Sequence, residues 1–297
     1  MVFLFELVQI GEKTYYLKNA TNIGIYLEEG NKAWIIDSGN DKDAGKKILK
    51  VIEENNWKVK GIINTHSNAD HTGGNKLIQE RTGCIAFSNG IENCFIKSTI
   101  LEPSFLYGGY PFKELKNKFL MAKDTLDVEE IKDNLPNGLE YFNLKGHFFD
   151  MIGIKTSDDV YFLGDSLFSE DTIEKYHICF IYDVEEYLKT LEYLKTSEGK
   201  MYIPSHCRST NDISNLIEIN KSNIYDIANS IIEICTEKIT FEEILKRIFD
   251  KYKLIMNENQ YVLVGSTIKS FLSWLKNNNK LEIIIDKNYM YWHTLEM

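Results

Sequence analysis

Short apolar runs separated by polar turns predict a strand-rich first third of the chain, with helices inserted between the strands. The predicted strands are Thr14–Lys18 and residues 24–28, 33–37, 60–64 and 84–88. They are rich in β-branched and aromatic residues and end at turn-forming residues such as Asn, Ser and Gly. Residues 43–55 predict a helix because Ile48, Leu49 and Ile52 repeat at helical spacing, and residues 74–82 predict a second helix.

The N-terminus begins with an apolar stretch that turns polar at Glu6. No basic residue precedes this stretch, so it predicts a first strand and not a signal peptide. No apolar run in the sequence approaches the ~18 residues that a membrane span needs. We therefore expect a protein without a leader and without a membrane segment.

The middle of the chain continues the alternation of strands and helices. Strands are predicted at residues 139–144, 152–156, 160–163 and 200–204, and helices at residues 183–195 and 212–236. Such alternation is typical of an α/β fold in which helix layers cover the sheets.

Residues 91–125 break this alternation with a Gly-Gly pair, prolines and many aromatic residues. The segment predicts an irregular excursion from the sheet, of the kind that often shapes a binding pocket. Two roles stay open for it, a pocket wall or a lid that only covers core. For the first role the candidate pocket residues are Phe105, Tyr107, Tyr110 and Phe112.

The C-terminal residues predict a module of their own. Helices are predicted at residues 240–252 and 261–277, followed by strands at residues 281–285 and 289–292 around a turn at 286–288. This order resembles the end of a winged-helix module, so we predict domains at residues 1–236 and 237–297. The second of these helices carries only Lys269 and Lys276 as basic residues, whereas a DNA-reading helix is usually richer in them. A cap over a pocket or a dimer surface is therefore the preferred interpretation.

Composition and charge narrow the classes of partner. The formal net charge is -10, and an acidic surface repels phosphates, so nucleic acid is not an expected partner. Five scattered cysteines without a C-x-x-C pair favour a reducing cytoplasm over a disulfide framework. A small molecule is the expected partner, and the aromatic insertion and the tail could also support a homodimer.

Candidate metal ligands follow the predicted strands in a repeated order of apolar strand, small residue, and His or Asp. The motifs are the stretch 65–74 (THSNADHTGG), Gly146-His147, Gly164-Asp165 and Ser205-His206. Sites of α/β folds gather at strand ends, and imidazole and carboxylate groups suit zinc and other first-row metals. A lone His at a strand end is usually structural, but these motifs together predict one metal centre. Its candidate ligands are His66, Asp70, His71, His147, Asp165 and His206.

The motifs resemble the metallo-β-lactamase superfamily, which carries an Asp after an early strand, then H-x-H-x-D-H, a Gly-His, an Asp and a His. In this sequence the early Asp is Asp37, and the resemblance covers roughly residues 1–235. It implies an αββα sandwich with the metal site along one edge. Several hydrolases of the family also end in a small winged-helix-like module, in agreement with the predicted tail.

Carried over by position, the resemblance implies two metal sites. The first would use His66, residue 68 and His147, the second would use Asp70, His71 and His206, Asp165 would bridge them, and Asp37 would orient ligands. One departure is that residue 68 is Asn68 where the family has His. An amide oxygen is a poorer zinc ligand than an imidazole, so we expect the second site to be the tighter one. The first site is expected to be weak, empty or filled only with substrate.

The activity implied by the resemblance is hydrolysis by a hydroxide generated at the metal, with Asp70 and Asp165 orienting the water or moving its proton. One or two zinc ions are expected, with iron or manganese as alternatives. The expected substrate is a small-molecule ester, thioester or lactone. Two other hypotheses are an iron-dependent oxidoreductase and a non-enzymatic ligand-binding or regulatory protein on a metallohydrolase scaffold.

Overall fold

The computed structural model of the protein describes residues 5–295, and a seven-stranded sheet occupies its N-terminal part. The strands are β1 (Glu6–Gln9), β2 (Thr14–Lys18), β3 (Ile23–Glu28), β4 (Lys32–Ile36), β5 (Lys58–Ile63), β6 (Ile85–Ser88) and β7 (Val128–Glu130). They lie in chain order, antiparallel from β1 to β4 and parallel from β4 to β7. The predicted first strand begins at Glu6, and the part of it before residue 5 lies outside the described residues.

A second sheet has four strands in the order β11-β10-β9-β8. Its strands are β8 (Leu139–Asn143), β9 (Ile152–Thr156), β10 (Val160–Phe162) and β11 (Met201–Ile203). The first three pair antiparallel, whereas β11 pairs parallel to β10 because the chain makes a long crossover before it. As a result β8, β10 and β11 all end at the same edge of this sheet.

The two sheets pack face to face over an apolar core. Trp34, Ile36 and Ile63 of the first sheet share a buried cluster with Ile154 and Phe162 of the second. The other face of the first sheet is covered by α1 (Lys42–Glu54) and α3 (Asn75–Thr82). The predicted αββα sandwich is confirmed by this layering.

The segment between β6 and β7 is more regular than the sequence predicted. It contains α4 (Glu92–Lys97), α5 (Leu101–Tyr107) and a 3-10 turn, Lys113–Leu115. The expectation of an irregular excursion is therefore wrong for its first half. Pro103 is compatible with α5 because it lies in the first turn, where backbone N–H groups lack helical partners. Gly108 ends the helix with a φ of +77°, which glycine adopts without strain.

Helices dominate the last part of the described chain. They are α6 (Glu170–Tyr176), α7 (Val184–Leu194), α8 (Ser214–Ile234), α9 (Phe241–Tyr252) and α10 (Glu258–Asn277), and the hairpin β12 (Leu281–Asp286) and β13 (Tyr289–Thr294) follows them. Lys287 and Asn288 both have positive φ, as a two-residue hairpin turn requires. One buried cluster extends from Leu144 to Trp292 and includes residues of α7, α8, α9 and α10. The boundary between residues 236 and 237 stays a prediction.

Within residues 5–295, no helix combines the length and the apolar character that a membrane crossing requires.

Candidate metal centre

The six predicted ligands lie together along one edge of the sandwich, at the carboxyl ends of strands from both sheets. His66 follows β5, Asp70 and His71 lie on the short helix α2 (Ala69–Thr72), His147 follows β8, Asp165 follows β10 and His206 follows β11. The structure brings them into two groups, and within each group the ligand atoms lie within 4.8 Å of one another. We call His66, His147 and Asp165 site 1, and Asp70, His71 and His206 site 2.

Two glycines allow the ligand-bearing loops to approach their neighbours closely. A Cβ atom at Gly74, just after α2, would lie 2.5 Å from the Ser38 carbonyl oxygen. A Cβ atom at Gly146 would collide with the backbone of Tyr187, and the φ of Gly146 is +118°. A larger residue at either position would push the ligand-bearing loop away from its neighbour, so both glycines help to set the positions of the ligands.

Hydrogen bonds donated by Nδ1 fix the orientation of three of the histidine rings. The acceptors are the Asp37 carboxylate for His71 at 2.8 Å, the Ala20 carbonyl for His206 at 2.9 Å, and the Phe180 carbonyl for His147 at 3.0 Å. A carbonyl or carboxylate oxygen can only accept, so each neutral ring carries its proton on Nδ1. The lone pair of each Nε2 atom is therefore directed into the centre.

The same orientation holds for His66 through a relay from Asp37. The hydroxyl of Thr65 donates to Asp37 Oδ2 at 2.8 Å, so its oxygen accepts from Nδ1 of His66 at 3.0 Å. The backbone N–H of Thr65 donates to the other carboxylate oxygen of Asp37, also at 2.8 Å. Asp37 itself has a φ of +62° and thus holds an unusual backbone conformation at the end of β4. One buried carboxylate thereby orients both His66 and His71.

Nitrogen lone pairs and carboxylate oxygens face each other across the centre. His206 Nε2 lies 3.2 Å from Asp70 Oδ2 and 3.2 Å from Asp165 Oδ2, and His71 Nε2 lies 3.3 Å from Asp165 Oδ1. The buried atoms His66 Nε2, His71 Nε2 and Asp165 Oδ1 have no hydrogen-bond partner among the described residues. Nitrogen and carboxylate groups this close need protons or metal cations between them, and the set of imidazoles and carboxylates fits bound metal ions.

The electrostatic environment divides the histidines into two pairs. Burial lowers the pKa of His66 well below its ordinary value, and burial lowers the pKa of His147 as well, so both rings are neutral at neutral pH. Burial also lowers the pKa of His71 and His206, but the carboxylates of Asp70 and Asp165 outweigh it and raise each pKa well above its ordinary value. Protons and metal ions therefore compete for the Nε2 atoms of site 2.

Asn68 lies between site 1 and a buried carboxylate that the sequence did not reveal. Its Oδ1 atom is 3.1 Å from Nε2 of His147, and its Nδ2 atom donates to Oε1 of Glu102 at 2.8 Å. Burial raises the pKa of Glu102 well above its ordinary value. Glu102 lies on α5, in the segment whose pattern showed no ligand motif, so no signal in the sequence pointed to it.

A second buried glutamate of the same segment holds the ligand loop from the other side. Oε2 of Glu92 accepts from the N–H of Ser67 at 2.9 Å and from its hydroxyl at 2.5 Å, and Oε1 accepts from the N–H of Asp150 at 2.8 Å. Burial raises the pKa of Glu92 to about 7. Glu92 and Glu102 thus bind consecutive residues of the loop between β5 and α2.

A cavity of about 510 Å³ opens onto His147, Asp165 and His206. Its wall is mostly apolar and includes Phe119, Leu120, Phe168, Ile178, Leu263 and Val264. The aromatic residues suggested by the sequence lie elsewhere. Phe105 packs against Phe95, Phe148, Phe149 and Tyr182, Tyr107 contacts Phe112 edge to face, and Tyr110 is 77% exposed. The segment reaches the cavity through Phe119 and Leu120 instead.

Comparisons with known proteins agree with this geometry. The family model of the metallo-β-lactamase superfamily matches residues 19–206. A protein of Methanocaldococcus jannaschii described as a "probable metallo-hydrolase" is 29% identical over 147 residues, which are 48% of this chain and 66% of that relative. A hydroxyacylglutathione hydrolase of Pelagibacter ubique is 42% identical over 43 residues, which are 14% of this chain and 18% of that protein. This chain spans less than two thirds of the length of either relative.

Solved structures share the fold over nearly the whole chain. A β-lactamase domain protein from Burkholderia ambifaria superposes with a TM-score of 0.74 at 14% identity, covering 98% of this chain and 94% of that one. A metallo-β-lactamase family protein from Thermus thermophilus superposes with a TM-score of 0.71 at 13% identity, covering 99% and 98%. Because the family model covers more than half of the sequence, the chain belongs to the metallo-β-lactamase superfamily.

Proposed function

We propose that this chain is a metal-dependent hydrolase that cleaves a small-molecule ester, thioester or lactone. The observation that carries the proposal is the set of imidazole Nε2 lone pairs directed at the Asp70 and Asp165 carboxylates. A divalent metal ion bound there lowers the pKa of a coordinated water toward ~7 and so makes a nucleophile available at neutral pH.

The residues of the centre would hold the metal and place the attacking water. Site 1 and site 2 would each hold one ion, with Asp165 as a candidate ligand of either, and the imidazole and carboxylate groups suit zinc, with iron or manganese as alternatives. Asp70 is half-buried and accepts from the Thr21 hydroxyl at 3.2 Å, which leaves other lone pairs free. Asp70 can therefore orient a water molecule and take its proton during attack.

The cavity beside the centre supports an uncharged, partly apolar substrate. Phe119 and Phe168 provide aromatic surface, and Leu263 and Val264 of α10 form part of the wall. No Lys or Arg lines this cavity among the described residues, so a phosphate group would lack a cationic partner there. An acyl group with an apolar chain matches this wall better than a phosphoester does.

The C-terminal residues would shape the substrate site. We interpret residues 237–297 as a winged-helix-like module because α9, α10 and the β12–β13 hairpin follow in that order. The first turns of α10 contribute Asn259, Gln260, Leu263 and Val264 to the cavity, which favours a pocket-closing role. The free cysteines agree with a reducing cytoplasm.

The direct test combines metal analysis with turnover. Protein purified without a tag is analysed for zinc, iron and manganese, and then assayed against aryl esters, acyl thioesters and lactones of increasing chain length. Asp70→Ala and His206→Ala should each lower kcat/KM by about 10³-fold or more, since each removes a site 2 ligand needed to generate the nucleophile.

A histidine outside the centre provides the matched control. His293 lies on the C-terminal hairpin and contacts Glu282 at 3.3 Å, so His293→Ala should keep the turnover of the parent protein. Turnover that survives Asp70→Ala and full chelation would contradict the proposal. A metal-loaded protein with no turnover on any substrate would favour a non-enzymatic ligand-binding role, and redox activity with bound iron would favour an oxidoreductase.

A further inference from the structure

We propose that Glu102 is a positioning residue that makes Asn68 a metal ligand. Site 1 would then bind a metal ion with lower affinity than site 2, but it would still be a functional metal site. The inference rests on the proposed metal-dependent function, and it concerns the position at which the chain departs from the family motif. Glu102 touches no reacting group and would act only through the amide of Asn68.

The position of Asn68 at the start of α2 does not explain the contacts that its side chain makes. Asn68 precedes α2 at the position where an asparagine usually caps a helix, yet its side chain makes no capping hydrogen bond. Its carbonyl oxygen already accepts from the N–H of His71 at 3.0 Å and from the Thr72 hydroxyl at 3.2 Å. The amide group is therefore free for another purpose, and it lies between Glu102 and His147.

Glu102 determines which end of the amide faces the metal centre. The Nδ2 group of Asn68 donates to Oε1 of Glu102 at 2.8 Å, so this is the end of the amide that turns toward Glu102. Among residues 5–295, this is the one hydrogen bond that the Glu102 carboxylate accepts. The Oδ1 atom of Asn68 must then point the opposite way, toward His147.

The contact between Asn68 and His147 is a contact between two acceptors. Nδ1 of His147 donates to the Phe180 carbonyl, so Nε2 of the neutral ring has no proton to give to the Asn68 oxygen 3.1 Å away. Such a pair is favourable when both atoms bind a cation. Together with His66 Nε2 and an oxygen of Asp165, the Asn68 oxygen would give site 1 a set of two nitrogens and two oxygens.

The charges around the centre support a second ion. Asp37 and Asp165 are buried and Asp70 is half-buried, and within the described residues the ion-pair contacts of these three carboxylates are to histidines. A buried carboxylate without a cation nearby is strongly unfavourable. An ion in site 2 alone would offset two of these three charges, whereas a second ion in site 1 would offset the remaining one.

The test measures zinc affinity at each site, without any substrate. Metal-free protein is titrated with Zn²⁺ in competition with a chromophoric chelator, for the parent protein, Asn68→Ala, Glu102→Ala, Glu102→Gln and the Asn68→Ala/Glu102→Ala double variant. The matched control is Glu130→Ala, since Glu130 anchors the same segment through the Asn93 side chain at 3.0 Å but contacts none of the ligands.

The parent protein should bind two zinc ions with unequal affinity. Asn68→Ala and Glu102→Ala should each weaken the looser site by about 10–100-fold and leave the tighter site unchanged. The double variant should be no weaker than Asn68→Ala alone, because Glu102 acts through Asn68. Glu102→Gln keeps an oxygen acceptor and should lose only a few-fold, and Glu130→Ala should match the parent protein.

Three outcomes would overturn the inference. Unchanged affinities in Glu102→Ala together with a lower melting temperature would make Glu102 a structural residue only. Additive losses in the double variant would show that Glu102 does not act through Asn68. A parent protein that binds a single zinc ion would also overturn it but would leave a one-metal hydrolase intact, whereas a parent protein that binds none would remove the proposed function as well.

Discussion

Asp37 orients one histidine ring in each site, but the remaining supports of site 1 and site 2 lie in different parts of the molecule. The rings of site 2 are oriented by Asp37, which follows β4, and by the Ala20 carbonyl between β2 and β3. At site 1, by contrast, Asn68 depends on Glu102 of α5, in the segment between β6 and β7. The supports of site 2 thus lie next to strands of the sheet, whereas one support of site 1 lies on a helix of the inserted segment.

This difference explains why a chain can depart from the family motif at one site and keep the other. A support on an inserted helix can change together with the ligand that it holds. Replacement of His by Asn at residue 68 would accordingly be tolerated where Glu102 supplies a new orientation for the amide.

The largest effect on stability that we expect concerns the segment that supports site 1. Burial raises the pKa of Glu92 to about 7, while its ordinary value of 4.5 applies to the unfolded chain. The folded state therefore holds this proton more tightly, and the free energy of unfolding should fall as pH rises from about 4.5 to 7. The loss from this group should approach about 3 kcal/mol, from 1.36 kcal/mol per pKa unit.

Chemical denaturation of metal-free protein between pH 5 and pH 7.5 would measure this loss, with Glu92→Gln beside the parent protein. The variant has no titrating group at residue 92, so the difference in stability should shift in its favour as pH rises. The histidines titrate in both proteins and cancel in the comparison. If the two stability curves run parallel across this range, Glu92 does not titrate there, and the hydrogen bonds between Glu92 and Ser67 do not depend on pH in this range.

The second effect sharpens the contrast between the two sites. Asp37→Asn places an amide N–H where a carboxylate oxygen now accepts from His71 or Thr65. For His71 this disfavours the tautomer with a free Nε2 lone pair, so zinc affinity at site 2 should fall by about 10–100-fold. Site 1 should fall less, because Asp37 reaches His66 only through the Thr65 hydroxyl.

Competition titration with Zn²⁺ would again separate the sites. Asp41→Asn is the control, since Asp41 is a nearby carboxylate that caps α1 and contacts no ligand. Equal losses at both sites would show that Asp37 supports the whole centre, and the contrast drawn between the sheet and the insertion would then be wrong for the orienting residues.

The difference between the sheet and the inserted segment also explains how much of the fold and of the metal centre could be predicted from the sequence. Strands and the ligands that follow them are encoded locally, so the sandwich and the side chains at its edge could be placed from apolar runs and short motifs. The elements that were missed carry weak local patterns. β7 (Val128–Glu130) has one buried residue in an acidic stretch, and α6 (Glu170–Tyr176) buries only Ile173.

The supports of site 1 could not be predicted for a different reason. Glu92 and Glu102 lie among the aromatic and apolar residues of 91–125, where nothing in the local pattern marks a glutamate as buried. Their role comes from tertiary packing that brings α4 and α5 against the loop after β5. For the same reason the candidate residues Phe105–Phe112 could not be distinguished from Phe119 and Leu120, which do line the cavity.

The smallest effect that we expect is a gain at site 1. Asn68→His restores the imidazole of the family motif, and its Nδ1–H could donate to Glu102 much as the Asn68 amide does now. The affinity of site 1 for Zn²⁺ should rise by about tenfold, within the range that ligand and support changes produce, while site 2 stays unchanged. Asn68→His combined with Glu102→Ala should lose most of this gain, since the new ring would then lack its orienting acceptor. If the ring binds zinc equally well without Glu102, the orientation comes from the loop alone, and site 1 depends on the sheet as much as site 2 does.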